Sequence, residues 1–144
     1  KKVRWGVLGA AGIARGQVIP GMLLAENEAY AIASQSLEKA KAFQAEFGFE
    51  KAYGSYEELL ADPNVEAVYI PLPNQLHLEW TCKALQAKKH VLCEKPLAPT
   101  VADIEKMIAT AKENNVFLME AFAYLHSPLI RSVKAELDSG IIGE

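Results

Sequence analysis

The chain has 144 residues, of which 51% are hydrophobic and 23% charged, and this length and composition predict one globular domain with a buried core. Its formal net charge of −3 argues against a nucleic-acid partner or an anionic membrane surface. The two cysteines lack the spacing of metal ligands, which predicts reduced thiols and no metal site. The chain also has no apolar run long enough for a signal peptide or a membrane span. Together these features predict a cytoplasmic protein.

Strand-like and helix-like segments alternate along the chain. The predicted strands are 3–8, 28–34, 51–54, 65–72, 91–93 and 116–120. The predicted helices run from the loop at 9–14 to about 25, then over 37–47, 56–61, 74–88, 101–113 and 128–139. This alternation predicts a doubly wound parallel sheet, the Rossmann fold, with about six strands in three α/β/α layers.

Polar and glycine residues mark several predicted helix ends. Ser55, with Glu58 three residues later, has the pattern of a capping box. Thr100 and Asn74 are further N-cap candidates, and Gly48 is expected to end the second helix.

A glycine-rich loop follows the first strand and opens the first helix. In this position, free N–H groups and the helix dipole are expected to face a pyrophosphate. Ala11 stands where the usual pattern has its middle glycine, and Gly12 is expected to relieve the turn. The alternative is a tight structural turn without a ligand. The candidate cofactor-binding residues of the loop are Gly9, Ala10, Ala11, Gly12, Ile13 and Ala14.

The end of the second strand bears on which nicotinamide cofactor is bound. An acidic residue there commonly binds the ribose hydroxyls of NAD, whereas this chain has Ser34, Gln35 and Ser36, with Lys39 one turn into the helix. Two hydroxyls, an amide and an ammonium suit a 2′-phosphate better than a diol. The pattern therefore favours NADP, while the lack of an arginine leaves NAD open.

The fourth strand leads into Pro71, Leu72, Pro73 and Asn74. The two prolines predict an extended exit along which the ribose–nicotinamide half of a cofactor lies. His77 falls on the first turn of the next helix, at the ligand edge of the sheet. It is either a contact to cofactor or substrate or a half-exposed surface residue.

The fifth strand ends in Glu94, Lys95 and Pro96. Ligands of open α/β sheets bind at the carboxyl ends of the strands, where a lysine can donate to or protonate a substrate oxygen. The alternative is a surface Glu–Lys pair. We interpret His90, Cys82 and Cys93 as structural residues, since no base lies beside either cysteine in sequence.

Together these motifs resemble the Gfo/Idh/MocA group of oxidoreductases, and they stand in the same order and spacing. The stretches that carry the resemblance are 9–14, 69–74 with His77, 89–96 and 119–122. The resemblance implies reversible hydride transfer between NADP or NAD and a secondary hydroxyl of a sugar or polyol. It also implies that 1–124 form the NAD(P)-binding domain, and that 125–144 lead toward a second, substrate-binding domain through which such enzymes often form homo-oligomers.

The resemblance also suggests residue roles. Lys95 would be catalytic, orienting the reacting oxygen and exchanging a proton with it, and Glu94 would position the nicotinamide. Residues 71–74 and His77 would line the cofactor, and Tyr124 would contact cofactor or substrate. His126 is one place away from the family's histidine and is not a candidate.

Two other interpretations stay open: a stand-alone nucleotide-binding module without catalysis, and an unrelated doubly wound domain of methyltransferase type. An exposed apolar patch would favour the two-domain enzyme over the stand-alone module. We expect the isolated domain to bind cofactor with little or no turnover.

Overall fold

A computed structural model describes residues 2–141 and 143. Of the predicted segment 125–144, Ile142 and Glu144 therefore lie outside the described residues, as does Lys1 at the start. Within residues 2–141 and 143, six strands form one sheet: β1 Arg4–Leu8, β2 Glu28–Ala33, β3 Lys51–Tyr53, β4 Ala67–Ile70, β5 His90–Cys93 and β6 Leu118–Glu120. All neighbours are parallel, in the order β3-β2-β1-β4-β5-β6. The predicted doubly wound parallel fold is confirmed.

In the part of the chain that the structure describes, six α-helices connect or follow the strands: α1 Ile19–Leu24, α2 Leu37–Phe47, α3 Tyr56–Ala61, α4 His77–Gln86, α5 Val101–Asn114 and α6 Pro128–Asp138. A π-helical stretch, Ala14–Val18, precedes α1, and short 3₁₀ turns cover Asn74–Leu76 and Ala123–His126. Within the described ranges, none of these helices combines the length and the apolar character that a membrane crossing needs.

The predicted caps hold at three helices and fail at one. Ser55 Oγ accepts a hydrogen bond from Glu58 N, Thr100 Oγ1 accepts one from Asp103 N, and Gly48 ends α2 with a left-handed φ of 76°. The prediction for Asn74 is wrong, because its side chain caps no helix. Instead the Pro73 carbonyl accepts from Leu76 N at 2.8 Å, which closes a 3₁₀ turn ahead of α4.

Two apolar cores lie on opposite faces of the sheet. On one face, α3, α4 and α5 pack over the strands through residues such as Leu59, Leu85 and Met107. On the other face, α1 and α2 cover the half of the sheet made by β1, β2 and β3, where Ile19 and Phe43 are buried. All four residues of β4 are buried, as expected for a central strand covered on both faces.

The second face is open over β5 and β6. We call this surface the apolar face; it is formed by Leu92, Phe117, Met119 and Phe122, with Phe117 78% exposed. Helix α6 does not cover it: no described residue of α6 is buried, and Leu129 is 69% exposed. An exposed apolar surface is therefore present beside the ligand edge of the sheet.

Candidate cofactor-binding cleft

The strand order creates a crevice at the carboxyl edge of the sheet. From β1 the chain runs outward to β2 and β3, and then returns so that β4 lies on the other side of β1. The loops after β1 and β4 therefore diverge from a common point, which is where doubly wound folds bind ligands.

Gly9 brings these two loops close together. Its φ of +120° belongs to a region that residues with a side chain rarely adopt, and an added Cβ would lie 3.0 Å from Leu72 Cδ2. The Gly9 amide donates to the Ala33 carbonyl at 2.9 Å, which fixes the turn against β2. A glycine is therefore required here by both backbone conformation and space.

Gly12 and Ala14, two other residues of this loop, differ in their surroundings. Gly12 is helical, with no positive φ, so the prediction that it relieves the turn is wrong; an added Cβ would meet no atom within 4 Å. Ala14 is fully buried among Val7 and Ile19, so its side chain faces the core and its predicted cofactor contact is left to the backbone. Its small size instead allows the helix to pack closely on the sheet.

One cavity, of about 380 Å³, opens beside this loop, and we call it the donor-lined cavity. It brings together nine of the predicted cofactor-binding residues and one residue that sequence reasoning missed, Tyr56. Its lining is Ala10, Ala11, Ser34, Gln35, Ser36, Lys39, Tyr56, Pro71, Leu72 and Pro73. Asn74 is exposed just outside this lining.

The two serine hydroxyls are fixed by local hydrogen bonds. Ser34 Oγ accepts from Ser36 N at 3.3 Å, and Ser36 Oγ accepts from Lys39 N at 3.4 Å as the N-cap of α2. Both bonds use oxygen lone pairs, so each O–H hydrogen remains available to a ligand. With the exposed ammonium of Lys39, the cavity offers donors suited to an anionic group.

Tyr56 forms one wall of the donor-lined cavity. Its ring meets Trp80 edge-on at 4.8 Å between centroids, and burial raises the pKa of its phenol, which therefore stays a neutral donor. The signal that could have found it is its position directly after a cap residue, at the carboxyl end of β3.

A second cavity, of about 810 Å³, lies along the apolar face and reaches the end of β5. Ile13, Glu94, Lys95 and Tyr124 from the predicted site line it. Lys95 and Tyr124 are both exposed there. The predicted catalytic lysine is thus at an accessible rim beside a large apolar surface.

Side chains from two neighbouring strands anchor the turn that carries Lys95. The Tyr69 hydroxyl donates to Glu94 Oε1 at 2.7 Å, and Leu97 N donates to Glu120 Oε1 at 2.8 Å. These bonds reach across from β4 and β6, on either side of β5. Sequence reasoning missed both Tyr69 and Glu120 as anchors of this turn.

His77 supplies a third anchor, and both predicted roles for it are wrong. The ring is fully buried, so it is neither a half-exposed surface residue nor placed to contact a cofactor. Its Nδ1 lies 2.9 Å from the Pro96 carbonyl oxygen and its Nε2 lies 2.7 Å from that of Leu72. His77 therefore connects the exit of β4 to the turn after β5.

His90, Cys82 and Cys93, which we interpret as structural residues, are hydrogen-bonded or buried within the fold. His90 Nδ1 accepts from Phe117 N at 3.0 Å, and Cys82 and Cys93 are buried free thiols. Burial raises the pKa of Cys93 to about 11, which keeps the thiol protonated at neutral pH. Among the described residues, no three His, Cys, Asp or Glu side chains are grouped to hold a metal ion.

The crevice between the loops after β1 and β4 combines a turn that requires glycine, the start of the first helix and a cavity lined by hydrogen-bond donors. These features together define a dinucleotide-binding domain. The chain belongs to the Gfo/Idh/MocA oxidoreductase family, since the model of that family's NAD-binding Rossmann fold matches residues 3–122. The resemblance found in the sequence motifs is confirmed.

Two curated relatives and one crystal structure illustrate the family. The chain is 46% identical over 144 residues to the dTDP-3,4-didehydro-2,6-dideoxy-alpha-D-glucose 3-reductase of Actinomadura kijaniata, covering 99% of this chain and 43% of the relative. It is 45% identical over 139 residues to D-xylose 1-dehydrogenase (NADP(+)) 2 of Haloferax volcanii, covering 96% of this chain and 42% of the relative.

The crystal structure is that of KijD10, a 3-ketoreductase from Actinomadura kijaniata, in complex with NADP and TDP-benzene. It superposes with a TM-score of 0.92 at 45% identity, covering 100% of this chain and 44% of that one. The chain thus spans less than half the length of the relatives that it matches.

Proposed function

We propose that this chain is the cofactor domain of an enzyme that transfers a hydride between NADP and a secondary hydroxyl of a sugar or polyol. The observation that carries the proposal is the donor-lined cavity beside the glycine turn, with Ser34, Ser36 and Lys39 on its wall. In this proposal the loop after β1 binds the pyrophosphate, and the cavity holds the adenosine end of the cofactor.

The donors favour NADP over NAD. A 2′-phosphate accepts hydrogen bonds from hydroxyl and ammonium groups, whereas a ribose diol is best bound by a carboxylate, which this wall does not provide. Two relatives support this choice, since KijD10 was crystallised with NADP and the Haloferax enzyme is named for NADP.

Lys95 is the acid–base group in this proposal. The bound nicotinamide supplies or accepts the hydride. The exposed ammonium of Lys95, on a turn fixed by Tyr69, Glu120 and His77, donates a hydrogen bond to the reacting oxygen and exchanges a proton with it. A fixed turn keeps this donor in place without reorganisation during the reaction.

We also propose that residues 1–124 form the cofactor domain and that 125–144 lead to a substrate-binding domain. The exposed apolar face and the uncovered helix α6 favour this arrangement over a stand-alone module, for which a polar surface is expected. The greater length of the relatives supports the same arrangement, since this chain covers 43% of the Actinomadura reductase.

Titrating this chain with NADPH and with NADH, and measuring both affinities by isothermal titration calorimetry, tests the proposal. We expect NADPH to bind at least about tenfold more tightly, the ratio expected from about 1.4 kcal/mol of added phosphate contacts. Lys39→Ala should reduce that preference, whereas Lys41→Ala, an exposed lysine on the same helix but outside the cavity, should not. A preference for NADH would reverse the choice of cofactor, and binding of neither would refute the proposal.

A further inference from the structure

We propose that Tyr69 is a positioning residue that holds the Glu94 carboxylate toward the nicotinamide half of the cofactor. The inference rests on the proposed function, because it assigns a role within the same cleft. It concerns a residue that lies inside the sheet and touches no solvent.

The ring and the hydroxyl of Tyr69 lie in different surroundings. The residue is 0% exposed, and its ring belongs to the core under α1, which also contains Val7 and Ala14. Its hydroxyl reaches the edge of the sheet, where it donates to Glu94 Oε1 at 2.7 Å. The packed core therefore fixes the donor, and the donor fixes a carboxylate that is only partly buried.

The strand register accounts for this reach. β4 and β5 are parallel, with Tyr69 opposite Leu92 and Ile70 opposite Cys93, so Glu94 follows directly after the paired residues. The Glu94 amide donates to the Ile70 carbonyl at 3.0 Å, which holds the backbone of the acid against the end of β4. Both the backbone and the side chain of Glu94 are thus attached to the same strand.

The hydrogen bond has a fixed direction. Burial and, next, the bond to Glu94 raise the pKa of the Tyr69 phenol well above its usual range, so the hydroxyl remains the donor throughout the working pH range of an enzyme. Glu94 Oε2 accepts from its neighbour's amide, Lys95 N, at 3.2 Å. A carboxylate has about four lone-pair sites, so acceptor capacity is left for a ligand N–H on the side of the large cavity.

A purely structural role for the hydroxyl makes a different prediction from a positioning role. If Tyr69 only satisfies a buried group, its removal should change stability and should alter the binding of all ligands equally. If it aims Glu94 at the nicotinamide, its removal should weaken only those ligands that carry the nicotinamide.

The test measures the affinity of this chain for NADPH and for 2′-phospho-ADP-ribose, which lacks the nicotinamide. Tyr69→Phe keeps the ring and removes the hydroxyl; we expect NADPH to bind about five- to tenfold more weakly, as for loss of one hydrogen bond to a charged group. Affinity for 2′-phospho-ADP-ribose should stay within about twofold. In a Glu94→Ala background, Tyr69→Phe should have no further effect on NADPH.

Tyr53→Phe is the matched control. It removes a hydrogen bond of the same kind, from a phenol to Asp62 Oδ2 at 2.8 Å, and Tyr53 lines neither cavity. Its affinities for both ligands should equal those of the unaltered chain. Unfolding in urea reports whether each variant is folded before its affinities are compared.

The outcomes separate the two proposals. Equal loss for both ligands in Tyr69→Phe, or no loss for NADPH, overturns the role of Tyr69. If Tyr69→Phe does not fold, Glu94→Ala alone decides: it should weaken NADPH selectively, and an unchanged NADPH affinity overturns the inference. Failure of the unaltered chain to bind NADPH would instead refute the proposed function.

Discussion

The Nδ1 atom of His77, the first residue of α4, lies 2.9 Å from the backbone carbonyl oxygen of Pro96, in the turn after β5. The same ring approaches the Leu72 carbonyl with its Nε2 atom. Both oxygens are acceptors, and a ring nitrogen that carries a hydrogen donates to the oxygen beside it, so the imidazole connects the exit of β4 to the turn after β5. The exit of β4, which lines the donor-lined cavity, and the turn that carries Lys95 are therefore held at a fixed distance.

Replacing His77 by alanine should destabilise the fold. The substitution empties a fully buried site and removes the partner of two carbonyl groups, which together cost about 2–4 kcal/mol. Equilibrium unfolding in urea measures the loss. His126→Ala, at an exposed position, should change the free energy of unfolding by less than about 0.5 kcal/mol. Equal effects of the two variants would contradict a bracing role for His77.

Glu120 should protect the amide of Leu97 from hydrogen exchange. The carboxylate accepts from that amide at 2.8 Å, so Glu120→Ala leaves it without its acceptor and should speed its exchange about tenfold, as for a local opening eased by about 1.4 kcal/mol. Glu120→Gln keeps an acceptor oxygen and should preserve most of the protection. Exchange followed by NMR gives the rates, and the same rate in all three proteins would rule out the anchor.

Gly12→Ala should have opposite effects on stability and on binding. The position is helical and has open space around it, so alanine should stabilise the fold by about 0.5 kcal/mol through helix propensity. The added methyl should obstruct a pyrophosphate at the helix start and weaken NADPH binding severalfold. Thermal unfolding and calorimetry measure the two effects.

Gly16→Ala provides the control for the loop, because it too meets no atom within 4 Å but lies a turn further along. We expect it to leave NADPH affinity unchanged. Unchanged affinity in Gly12→Ala as well would show that the pyrophosphate does not approach this turn.

Stability should fall at high pH in part because of Cys93. Burial raises the pKa of this thiol from its ordinary 9.0 to about 11, so the unfolded chain loses the proton first as the pH rises. The contribution to stability is therefore constant below pH 9 and declines between pH 9 and 11, by about 2–3 kcal/mol for a fully buried group.

The difference between the wild-type and Cys93→Ala unfolding curves isolates this contribution from other groups that titrate in the same range. We expect the free energy of unfolding of the wild-type chain to fall relative to that of Cys93→Ala by about 2–3 kcal/mol between pH 9 and 11. Parallel curves over that range would contradict the assigned shift.

The sequence was sufficient to predict the sheet because its central strands are apolar on both faces. The residues of β4, Ala67–Ile70, form such an apolar run. Because the strands are parallel, the glycine turn, the serines after β2 and the prolines after β4 all lie at the same edge of the sheet. Cap residues such as Ser55 marked helix starts because their hydrogen bonds are local.

The anchors of the Lys95 turn could not be predicted in the same way. They join Tyr69 to Glu94, Leu97 to Glu120 and His77 to Pro96, over separations of 25, 23 and 19 residues. Each of these hydrogen bonds depends on the register of neighbouring strands or on which face of a helix is buried. A local sequence pattern does not specify either of these. His77 was misread for this reason: its place on the ligand edge was predicted, but its burial was not.

NMR titration of the isotopically labelled chain with NADP most directly tests the central claim, that this cleft binds the cofactor. The amides of residues 10–13, 34–36 and 72 should shift together as NADP is added, because they surround the glycine turn and the donor-lined cavity. Shifts confined to Phe117 and Met119 on the apolar face, or no shifts at all, would contradict the account.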